Sequence, residues 1–171
     1  MHAHAVLVCA AAAFAAIVAT LHVMRRDVSP RARGISRYAN GRTLVAMTLA
    51  FLALATATAA AAWITASSVL LVAAVSLATI AAAPEPASPA ARARGIIHTA
   101  AGFVFFVSMA IGAVTVSGRG FAIQPTVAWL LAVVTMLFFA GLGGAPGLKE
   151  VRGLLQRACF ALTVAWLVLI R

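Results

Sequence analysis

The amino-acid sequence predicts an all-α protein, a polytopic bundle of six transmembrane helices with both termini outside. Three observations carry the expectation. Of 171 residues, 64% are hydrophobic and 9% charged, whereas a soluble domain carries roughly 25% charged and about 45–50% apolar residues. The few charges are clustered, and the apolar stretches between them approach the roughly 20 residues needed to cross about 30 Å of hydrocarbon. Alternate loops also differ sharply in basic residues, as expected of a chain that crosses a bilayer repeatedly.

The first stretch, Ala5 to Met24, is followed by Arg25 and Arg26 and preceded by nothing basic, the reverse of a cleaved signal. It is therefore expected to be retained. Cys9 does not make a lipoprotein site, because Val8 occupies the small-residue position. The further spans are Thr43 to Ile64, the short Ser67 to Ala83, Ile96 to Ser117, Thr126 to Gly144, and the short Leu154 to Ile170. Arg157, near the start of the last, can snorkel to the interface along its own stem. Trp63, Trp129 and Trp166 fall near the outer ends of their spans, where amphipathic rings favour the interface. Ala53, Ala57 and Ala61, then Ser108 and Gly112, then Ala161 and Ala165 are spaced to let helix backbones approach. Cys9 and Cys159 read as small packing residues. The whole of 1–171 is one transmembrane domain.

Six basic residues follow the first span (Arg25, Arg26, Arg31, Arg33, Arg37, Arg42), and two follow the third (Arg92, Arg94). Lys149 and Arg152 follow the fifth, with Arg157 just inside the next span, while the other side holds Arg119 and Arg171. Eleven against two alternates correctly only if all six spans cross, which predicts basic loops in the cytoplasm. The alanine and arginine bias suggests a GC-rich bacterial genome, hence a bacterial cytoplasmic-membrane protein.

The basic loops share an ending. Ser29, Pro30, Arg31, Ala32, Arg33, Gly34, Ile35 is echoed by Ser88, Pro89, then Arg92, Ala93, Arg94, Gly95, Ile96, and more faintly by Lys149, Arg152, Gly153, Leu154. One account is three copies of a helical hairpin. A second is physical: even-numbered helices start on this face, so their free amides meet the arginines, and glycine lets a phosphate approach the backbone. A third is that the arginines serve only to orient the chain during insertion.

The stretch Arg26, Asp27, Val28, Ser29, then Gly34, Ile35, Ser36, Arg37, Tyr38, Ala39, Asn40, Gly41, Arg42 resembles the first-loop signature of the bacterial membrane family DUF998. The run from Gly95 to Phe106 resembles that family's Gly-x-x-His start to its fourth helix. The family also carries a proline and an acid after helix three, of which Pro84 and Glu85 are present here. The resemblance implies a multi-helix integral membrane protein and no particular activity.

His22 and His98 are expected one turn inside spans one and four, and Asp27 and Glu85 flank the same helices. Ionisable residues in a bilayer are functional candidates, so these four form a candidate polar site if helices one and four are neighbours. Each histidine could instead bond a backbone carbonyl or a lipid phosphate. Arg31, Arg33, Arg37, Tyr38, Arg92, Arg94 and Arg152 are candidates for gripping anionic headgroups. Asp27 is expected to pair with Arg37 or Arg42, and His2 and His4 to lie idle at a flexible N-terminus. The leading expectation is non-catalytic binding or sensing of anionic membrane lipids, with no nucleic acid, cofactor or metal and with a homo-oligomer left open. The alternative is a membrane-embedded enzyme acting on a lipid or isoprenoid through His22 and His98. No span carries a mid-bilayer charge or a proline break of the kind that marks a carrier.

Overall fold

A computed structural model describes residues 2–85, 92–117 and 125–170. Ser88, Pro89, Arg119 and Arg171 lie outside these residues. The described chain is all-helical: α1 (His2–Met24), α2 (Leu44–Thr65), α3 (Ser68–Ala82), α4 (Arg92–Ser117), α5 (Pro125–Leu142) and α6 (Leu148–Val168). Two 3₁₀ turns, Ile35–Tyr38 and Gly41–Thr43, lie in the loop after α1.

Five of the six helices are long and apolar enough to cross a membrane; α3 has 15 residues. At about 1.5 Å per residue it is roughly 22 Å long, below the full hydrocarbon thickness. It still runs between the two ends of the bundle. It starts at a tight turn after α2, where Ala66 is left-handed at φ +50° and the Ser67 hydroxyl caps the Leu70 amide. The chain beyond it returns to the first loop, where Glu85 meets Ser36 and Arg37.

Helices α4 and α6 begin earlier than the apolar stretches predict. Arg92 and Arg94 sit in the first turn of α4, and Lys149, Arg152 and Arg157 lie within α6. The reason is that charge ends an apolar window without ending a helix, because the backbone is satisfied internally wherever the side chains go. For the same reason α1 takes in His2 and His4, so these belong to its first turn and not to a flexible tail.

Consecutive helices pack as neighbours, and α1 against α6 closes the ring. Phe160 stands at its centre, with Phe14, Phe51, Phe105 and Phe106 at centroid distances of 5.6, 6.2, 5.6 and 5.2 Å. Small residues set some contacts: a Cβ on Gly112 would lie 2.5 Å from Leu70 Cδ2 of α3. Ala57 and Ala61 are likewise buried, but Ala161 is exposed, so the spacing in α6 is not a packing seam. Trp63 and Trp129 are exposed, as interfacial rings should be, whereas Trp166 is fully buried and donates to Ser117 Oγ. Cys159 is buried and Cys9 lies on an exposed face; both are free.

Candidate functional site

The first loop is held by its own polar groups and by α6. Arg25 grips Asp27 with two bonds of 2.8 Å and reaches Asn40 O at 3.0 Å and Thr43 Oγ1 at 2.8 Å. Thr43 in turn donates to the Tyr38 and Asn40 carbonyls. The Arg25 guanidinium holds the Asp27 carboxyl below the usual carboxylate range, and Asp27 reciprocally raises Arg25. Asp27 thus pairs with Arg25, two residues away in the same turn, and not with Arg37 or Arg42.

Arg157 supplies the link to α6. Its Nη1 donates to the carbonyls of Pro30 (2.7 Å), Arg33 (2.6 Å) and Gly153 (3.0 Å), and its Nη2 to the Tyr38 hydroxyl (2.9 Å). The guanidinium also lies 5.6 Å from the Tyr38 ring centroid. The Tyr38 hydroxyl accepts from this guanidinium and is also hydrogen-bonded to His22 Nδ1 at 2.8 Å, in a direction that follows the imidazole tautomer. The Gly153 amide donates to Arg31 O, Arg152 Nε to Ala32 O, and the Ile35 amide to Gln156 Oε1.

Glycine makes this joint close. A Cβ on Gly153 would lie 2.5 Å from Arg33 O, and one on Gly34 2.3 Å from Gln156 Oε1. These two Arg-Gly glycines therefore admit protein backbone and side chain where the sequence suggested a phosphate. Tyr38 is fully buried in the same joint, so it is a structural pin and not a headgroup ligand.

With the loop fixed against α6, an open cleft of about 1230 Å³ forms between it and helices α4, α5 and α6. Arg33, Arg37, Arg92 and Arg152 line its polar part, with Glu85 and His98 beside them. Glu85 is held by Arg37 Nε at 2.8 Å and Ser36 Oγ at 2.6 Å. His98 Nδ1 donates to Ala83 O at 2.9 Å. The apolar part is Phe103, Phe106, Phe138 and Phe139, of which Phe103 is half exposed and Phe106 and Phe138 are buried.

The four candidate polar residues do not converge. Glu85 and His98 line the cleft, while His22 and Asp27 do not. The physical reason is the ring order: α1 packs on α2 and α6, and α4 on α3 and α5. The proposed two-histidine site is corrected accordingly. Among the described residues no group of histidine, cysteine and carboxylate side chains is arranged to hold a metal. Of the predicted headgroup residues, Arg31, Arg94 and Tyr38 lie off the cleft. Gln156 and the phenylalanines, which sequence reasoning missed, were signalled only by the aromatic runs at 103–106 and 138–139.

The fold and cleft define a multi-pass α-helical membrane protein whose apolar bundle carries a basic cleft lined also by phenylalanines. A family model described as "Protein of unknown function (DUF998)" matches residues 8–170, and the chain belongs to that family. Comparison with the curated proteins and with the solved structures gave no match.

Proposed function

We propose that the protein binds anionic lipid at the cytoplasmic leaflet of a bacterial cell membrane, without a chemical step. The observation that carries the reading is the continuity of the cleft. Four arginines line the same cleft as four phenylalanines, and Phe103 among these is exposed on the bundle surface. Arginine forks suit phosphate oxygens, and the phenylalanine surface suits the first methylenes of an acyl chain. The excess of arginine at this end supports a cytoplasmic orientation, in which the mouth lies at headgroup depth.

The test is equilibrium binding in nanodiscs containing phosphatidylglycerol, phosphatidylcholine or both. Phosphatidylglycerol should be retained preferentially, and each of Arg33→Gln and Arg92→Gln should weaken that preference about five-fold, as loss of roughly 1 kcal/mol of attraction implies. Soluble glycerol phosphate should compete poorly, because it lacks the chain that the phenylalanines would cover. Equal retention of both lipids would remove the reading.

A further inference from the structure

The bonding capacity of the cleft narrows the lipid class, an argument that rests on the anionic-lipid reading. Arg33, Arg37, Arg92 and Arg152 are donors without acceptor capacity. Both Glu85 oxygens are engaged, one by Arg37 and the other by Ser36. Gln156 Oε1 already accepts from the Ile35 amide. His98 differs. Its Nδ1 lies 2.9 Å from the Ala83 carbonyl, which can only accept, so Nδ1 carries the proton. In the neutral ring Nε2 is then an acceptor, and it has no hydrogen-bond partner among the described residues. The Thr99 hydroxyl, also on the cleft, can act as donor or acceptor.

We infer that His98 selects a phosphodiester lipid whose headgroup carries a free hydroxyl, of the glycerol or inositol type, with the phosphate on the arginines and the hydroxyl donating to His98 Nε2. A phosphate monoester satisfies the arginines but carries no alcohol hydroxyl beyond its phosphate. An ammonium headgroup could donate to it, but the excess of arginine over the one carboxylate, Glu85, disfavours a cation there. A hydroxyl supplies the donor without the charge.

The discriminating pair is phosphatidylglycerol and phosphatidylmethanol, which carry the same charge and differ in the hydroxyls. Binding of each is measured to the full-length protein in phosphatidylcholine nanodiscs. The wild-type protein should prefer phosphatidylglycerol about three- to ten-fold, the scale of one neutral hydrogen bond. His98→Phe should bring the ratio to about one while phosphatidylmethanol binding holds. His98→Gln, whose amide can donate to Ala83 and still accept, should recover part of the preference. A wild-type ratio of one, or an unchanged ratio in His98→Phe, overturns the hydroxyl inference and leaves anionic-lipid binding standing. If neither lipid binds better than phosphatidylcholine, the underlying reading falls instead. If His98→Phe does not fold, His98→Ala carries the same test, with a ratio of about one expected and an unchanged ratio overturning the inference.

Discussion

Arg157 ties the first loop to α6 through two loop carbonyls and the Tyr38 phenol. Removing it should leave these acceptors short of a donor. Arg157→Ala is expected to lower stability by about 2 kcal/mol, within the range for hydrogen bonds to charged groups. Arg157→Lys should rescue little, because a point charge cannot reproduce the planar fork. Thermal unfolding in detergent measures both. Asp27 adds a pH dependence with a definite sign. Its pKa is depressed by Arg25, so its contribution is complete above the ordinary carboxylate pKa of about 4 and is lost as pH falls through the lower, folded value. Stability should therefore be insensitive to Asp27→Asn in strong acid and lower than wild type in that variant near neutrality. At this scale the sequence was least legible. Arg157 read as a side chain snorkelling to the interface and Tyr38 as a headgroup ligand, because 119 positions separate two residues that touch.

The joint between the first loop and α6 depends on Gly153, where a methyl group would meet backbone and not a yielding side chain. Gly153→Ala should displace the loop at a cost of about 1–3 kcal/mol, the usual scale of overpacking. It should also weaken lipid retention, since Arg33 and Arg37 ride on that loop. The turn between α2 and α3 offers the opposite case. Ala66 occupies a left-handed position that costs an L-residue roughly 1–2 kcal/mol, so Ala66→Gly should raise the unfolding temperature, less what glycine adds to unfolded-chain entropy. Helix number and order were legible because uncharged length alone reports them. Helix starts were not: the windows for α4 and α6 closed at arginines that the helices themselves contain.

For the whole molecule, the alternation of basic and nearly uncharged connections was readable from the chain, and the described helices follow the order it implied. A reporter placed after residue 171 should be found on the outer face, and one in the first loop on the cytoplasmic face; the reverse result would invert the proposed position of the cleft. Which helices become neighbours was not readable, and that is why His22 and His98 seemed able to meet. Apolar spans of similar composition carry little information about their circular order, which here is settled by side-chain fit around Phe160 and by the contact of α1 with α6.

That contact also sets a timetable for biogenesis. The first loop leaves the ribosome early, yet its carbonyls at Pro30, Arg31, Ala32 and Arg33 find their donors only on α6. The nascent loop must wait, hydrated, while four further helices are synthesised. A chain arrested before the sixth helix would hold most of the apolar bundle but no finished cleft, so the proposed lipid site is complete only with the last span.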